Sequence, residues 1–250
     1  MHGGRYHCAA MASVSVVKWS SGRVFRPALP LCLCVFVASL VLLPAACGSK
    51  LPRLRTQLND PDPDKKIAAM QALVDAKDTA SVPAIVALLQ DTVPDVRKEA
   101  ATGLGKIGDR RACQPLADFY DKEKVQDVQD AGIRALIRLG KYSVEPLIGL
   151  LSSIRPVVRS GAARALGKLQ ARRAVDPLIS LLRDRNQDVR MDAIFALRQI
   201  GDERGRDAIA SAVQDTNPDI EGAAEHALSG EGYQEQLNKA KRVVRRLPYP

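Results

Sequence analysis

Beyond residue 46 this chain has one histidine, His226, and one cysteine besides Cys47, Cys113. A lone histidine with no second His or Cys at ligand spacing gives no metal site. No nucleophile elbow, phosphate-binding loop or dinucleotide fingerprint is present. The sequence therefore predicts no catalytic residue, no metal and no cofactor. With Cys47 set apart for the reason given below, Cys113 has no intrachain partner. It stands two residues before Pro115, where other segments have Val144 and Val175, and reads as a small buried apolar side chain. Aromatic residues make up only 4% of the chain, and the single tryptophan, Trp19, lies in the first 46 residues. Those 46 residues also lack any Asp or Glu.

What the chain has is periodicity. Pro83, Pro115, Pro146 and Pro177 recur at steps of 32, 31 and 31, and Ala208 holds the next place. Leu73, Leu104, Leu136, Leu166, Leu197 and Leu228 recur at 31, 32, 30, 31 and 31. Such a period marks a stacked solenoid of helical pairs. Residues 175–205 show the unit. Pro177 is expected to open a first helix, with Leu178, Leu181 and Leu182 on one face. After a polar turn, Asp188 is expected to cap a second helix that Gly201 ends. In the second helix, small residues recur four and one positions before the column leucine, as in Ala162 and Ala165. They allow neighbouring helices to approach to the short end of ~8–10 Å packing. Gly103 and Gly105 fall in the same helix and are explained by packing, not by a glycine-rich loop.

This pattern resembles HEAT repeats in their short, lyase-type form, over residues 51 to about 230. The resemblance implies an all-α, right-handed α-solenoid of about six helical pairs. It also implies an Asp–Arg ladder along the inter-helix turns. Asp91/Arg97 and Asp184/Arg190 fit, and Asp60/Lys66 fits loosely. Asp121/Gln129, Ser153/Arg159 and Asp215/Glu221 depart from it, so the ladder is expected to be broken. Some HEAT-like proteins attach bilins or excise damaged bases. The scarcity of aromatic side chains and the leader described next argue against both activities here.

The leader carries Arg5, Lys18, Arg23 and Arg26, then an uncharged apolar run to Ala46. It reads as a secretory signal. Leu43-Pro44-Ala45-Ala46-Cys47 resembles a bacterial lipobox, with Pro44 departing from the usual leucine. That resemblance implies cleavage before Cys47 and a lipid on its thiol. An uncleaved membrane span or a non-lipid cleavage near Ala46 are the alternatives, and Met11 is an alternative start. The expected organisation is a signal peptide over 1–46, a lipidated tether over 47–50, the solenoid over 51–232 and a basic tail over 233–250. In the tail, Leu237, Ala240, Val244 and Leu247 would form the apolar face of a helix that caps the stack or lies on anionic membrane.

Removing the leader takes four of 37 basic and none of 28 acidic side chains, which leaves +5. With a secretory signal this makes nucleic acid an unexpected partner, and anionic lipid, polysaccharide or an acidic protein an expected one. The charge is placed as well. The positions two before and two after the column leucine share one helix face, which the resemblance puts on the inner side of the solenoid. Lys106, Arg134, Arg138, Arg164 and Lys168 lie there, with Phe195 beside them. Asp130, four residues before Arg134, is expected to offset part of that charge. A second basic set, Arg110, Arg111, Lys141, Arg172, Arg173, Arg204 and Arg206, reads as exposed loops. The functional expectation is a membrane-anchored, extracytoplasmic, non-enzymatic scaffold that binds a protein through the basic face. A lyase-type enzyme and an envelope component that binds an anionic polymer are the alternatives.

Overall fold

The computed structural model describes residues 50–213, 217–229 and the single residue 238. The expected signal peptide, Cys47, the expected tether up to residue 49 and the rest of the basic tail lie outside the described residues. So does Asp215. Among the described residues the secondary structure is α- and 3-10-helical, with no strand.

Among the described residues, twelve α-helices form six successive pairs. They are α1 (Lys50–Gln57) with α2 (Pro63–Asp75), α3 (Val82–Ala87) with α4 (Pro94–Ile107), and α5 (Cys113–Lys122) with α6 (Gln126–Leu139). Then come α7 (Val144–Leu150) with α8 (Pro156–Lys168), α9 (Val175–Leu181) with α10 (Gln187–Ile200), and α11 (Glu203–Ala212) with α12 (Pro218–Ala227).

The helix starts differ from expectation in three ways. Pro83 is the second residue of α3, and Pro115, Pro146 and Pro177 are third residues of theirs, each after a short 3-10 turn. The first four N–H groups of a helix have no internal partner, so proline is tolerated across the whole first turn. Ala208 opens nothing, because Asp202 accepts from the Arg204 N–H and starts α11 five residues earlier. Asp188 is not the cap of α10: Asn186 accepts from the Asp188 and Val189 N–H groups, and Asp188 sits in the first turn, where the helix dipole favours it. Gly201 does end α10, in the left-handed region at φ 71°.

The six column leucines are fully buried, and one apolar core runs through the pairs. The spacing between successive second helices is not uniform. The residue just after the column leucine faces the next second helix, and it reads Val74, Gly105, Ile137, Gly167 and Arg198. At the two glycines the backbones close up. A Cβ on Gly105 would stand 2.8 Å from Ala135 Cα, and one on Gly167 2.8 Å from Ala196 Cα. The pairs α4–α6 and α8–α10 are therefore tightly clasped, whereas α6 and α8, with Ile137 between them, touch far less.

Candidate functional site

The loose seam between α6 and α8 opens a cleft of about 310 Å³. On α6 it is lined by Gln126, Gln129, Asp130, Ile133, Arg134 and Ile137, which fall on one helical stripe. On α8, Arg164, Ala165 and Lys168 form the facing stripe, with Val157 at the turn end.

Tyr120, near the end of α5, forms the bottom. Its ring is buried, and its hydroxyl donates to Val157 O at 3.5 Å. Gly161 leaves the space that the hydroxyl occupies, since a Cβ there would collide with it. Burial pushes the phenol up to about 12, so it stays protonated at neutral pH. Gln129, also buried, donates from Nε2 to Tyr120 O at 3.0 Å. The polar groups of the floor are thus engaged with the protein itself.

The predicted basic residues divide. Arg134, Arg164 and Lys168 are exposed and converge on the cleft. Lys106 on α4 and Arg138 on α6 are exposed but outside its lining, and Phe195 on α10 is 37% exposed. Arg164 has a loose partner: its Nε stands 3.7 Å from Asp192 Oδ2. Burial raises the Asp192 carboxyl against the opposing effects of a short bond from Ser160 Oγ and the Arg164 charge. Asp130, expected to offset part of the Arg134 charge, lines the same cleft and accepts from Gln126 Nε2 at 2.9 Å. Sequence reasoning missed Tyr120, Ile133 and Ile137; the alternation after the column leucine was the available signal.

The remaining cations are largely spent on the stack. Lys66–Asp91 at 2.6 Å, Arg97–Glu123 at 2.7 Å and Arg159–Asp184 at 2.7 Å each join a second helix to the turn of the following pair. The ladder thus runs between repeats. Within a repeat the base meets a carbonyl: Arg97 donates to Asp91 O at 2.8 Å, and Arg190 to Asp184 O at 2.9 Å. The third acid is Glu123 and not Asp121. Where Gln129 replaces a base, Arg155 from the next turn donates to Asp121 O and Glu123 O, so the break is bridged. Burial raises Asp91, Glu123 and Asp184, but the bonds from Lys66, Arg97 and Arg159 with nearby N–H groups outweigh it and hold all three carboxyls below their usual range.

Part of the second basic set is also engaged between repeats and is not simply loop. Arg111 donates to Thr79 O at 2.7 Å, Arg173 pairs with Glu145 at 2.9 Å, and Arg204 with Asp176 at 2.9 Å. These are exposed pairs, worth ~0–1 kcal/mol each. Cys113 is buried, as expected, and burial raises its thiol pKa. His226 is exposed, with Nδ1 3.1 Å from Arg198 Nη1. Among the described residues, no group of three or more His, Cys, Asp or Glu is arranged to hold a metal ion.

Several solved structures are similar. A designed armadillo repeat protein in complex with the peptide (KR)4 is 21% identical, with TM-score 0.44, over 72% of this chain and 98% of that one. The complex of CpcE and CpcF of phycocyanin lyase from Nostoc sp. PCC7120 is 19% identical, with TM-score 0.44, over 80% and 89%. Human deoxyhypusine hydroxylase in complex with glycerol is 20% identical, with TM-score 0.38, over 74% and 84%. No curated protein matches the sequence. The family described as HEAT repeats matches over residues 51–137, 126–197, 144–229 and 175–246, a span that takes in all six helical pairs. With its buried leucine columns and inter-repeat ion pairs, this chain belongs to the HEAT-repeat family.

Proposed function

We propose that the chain is a non-enzymatic, protein-binding scaffold, exported from a bacterial cytoplasm and tied to a membrane by lipid on Cys47. The helical-repeat architecture is suited to protein binding, because a stack of pairs presents a long continuous surface. One observation carries the assignment of that surface. Lys106, Arg134, Arg138, Arg164 and Lys168 are exposed on three successive second helices, Arg164 with only its loose Asp192 contact, whereas Lys66, Arg97 and Arg159 are tied to carboxylates between repeats. Like charges gathered on one face repel one another and are relieved by an anionic partner, and the partner that fits is an acidic protein.

The leader and the lipobox-like segment support export and anchoring. The test has two arms. Cys47→Ala is expected to abolish labelling by a fatty-acid analogue and to release the protein from membranes; an unlabelled wild type removes the lipid anchor from the proposal. Reversing Arg138 and Arg164 to Glu is expected to weaken crosslinking to the native partner without lowering the melting temperature. Crosslinking that survives the reversal, or that ignores ionic strength, removes the basic face.

A further inference from the structure

The cleft between α6 and α8 is more than part of a charged face. Its α6 stripe runs from Gln126 to Ile137, eleven steps or about 16 Å at 1.5 Å per residue. An extended chain rises about 3.3 Å per residue, so the cleft takes roughly five residues of one. The chemistry changes along it. The turn end presents Gln126 and Val157, with Asp130 one helical turn further in; the centre presents Ile133; and the far half presents Arg134, Arg164 and Lys168 with Ile137. Ile133 and Ile137 beside three cations suit neither a bare anion, which leaves the isoleucines unused, nor an acyl chain, which leaves Arg134 and Lys168 without an ion-pair partner.

We propose that this cleft docks an extended acidic segment of a partner protein, one apolar side chain on Ile133 and Ile137 and its carboxylates against Arg134, Arg164 and Lys168. The inference rests on the scaffold reading and makes it specific. The face as a whole attracts; the cleft selects a short motif in which an apolar residue is followed by acidic ones. Ile137 is the residue that creates the site, because a glycine in its place would let α6 and α8 close, as Gly105 and Gly167 do at the flanking seams.

The test uses the full chain purified in detergent and a fluorescein-labelled peptide with one leucine followed by three glutamates, read by anisotropy. Arg134→Gln with Arg164→Gln is expected to weaken binding about tenfold or more, the equivalent of removing charge pairs at a desolvated contact. Lys106→Gln with Arg138→Gln removes the same charge from the basic face outside the cleft and is expected to weaken binding by clearly less than the cleft pair, through a long-range attraction that salt screens. Replacing the probe leucine by serine is expected to weaken binding several-fold. All these substitutions are at exposed positions, and thermal melts verify the fold. Equal losses from the two pairs overturn the cleft while leaving the basic face standing. Indifference to the leucine overturns the contact with Ile133 and Ile137. Failure of the wild type to bind the peptide overturns the proposal, and retention instead of phosphatidylglycerol vesicles or inorganic phosphate by the same arginines assigns the cations to a lipid headgroup or a free anion.

Discussion

The seams at Gly105 and Gly167 and the seam at Ile137 are built from the same repeat, yet two are closed and one is open. The difference is one side chain after the column leucine. Without a Cβ, the two glycines let backbone meet backbone, and no room is left between the helices. With isoleucine there, the helices part, Tyr120 comes up from α5 into the space beside Gly161, and a lined cleft remains above it. Close packing and an open cleft are alternatives at a seam, and the three central seams of this solenoid alternate between them.

The largest expected effect probes what the seams share. Leu136→Ala beside the open seam and Leu166→Ala beside a closed one should each cost ~2–5 kcal/mol in denaturant unfolding, because both leucines are fully buried. A cost under ~1 kcal/mol at Leu136 would mean that the open seam is loose down to its core. Next, Gly105→Val and Gly167→Val should each cost ~1–3 kcal/mol by forcing backbone apart. Gly149→Ala, where an added Cβ meets nothing within 4 Å, should stabilise by ~0.5–1 kcal/mol instead. Similar signs at all three glycines would break the comparison.

An effect of similar size concerns the ladder that holds open and closed seams together. Asp91, Glu123 and Asp184 have carboxyls held below their unfolded values, so the folded state binds fewer protons than the unfolded one. Their contribution is present above the unfolded carboxylate pKa and is lost as pH falls through the folded ones. Asp192 is raised and opposes them through its own window, its contribution falling as pH rises. Asp184→Asn should cost ~1–3 kcal/mol at neutral pH by leaving the mostly buried Arg159 without its carboxylate. It should also flatten the acid limb of a stability-against-pH curve. An unchanged limb would show that the Arg159–Asp184 rung contributes nothing.

The repeat period, the buried leucine columns and the small-residue columns were legible because each follows from helical spacing repeated in register. The basic positions were legible for the same reason, as residues two to either side of a buried leucine must point outward. Helix starts were less legible. Proline is compatible with any of the first three positions, and Asn186 outcompeted Asp188 for the cap by lying two residues earlier, just before the helix. The ladder was misread because a Glu two residues beyond the expected Asp reaches the same arginine.

The sequence by itself determined an all-helical stack of six pairs, the residues of its core and the exposure of five cations. Tertiary structure decided which of those cations meet. Spacing along one helix says nothing about the distance to the next, and that distance is set by whichever pair of side chains is bulkiest at the seam. Only the packed chain shows that α6 and α8 stand apart at the seam that Ile137 lines, that Tyr120 occupies the gap left by Gly161, and that Arg134, Arg164 and Lys168 line one cleft.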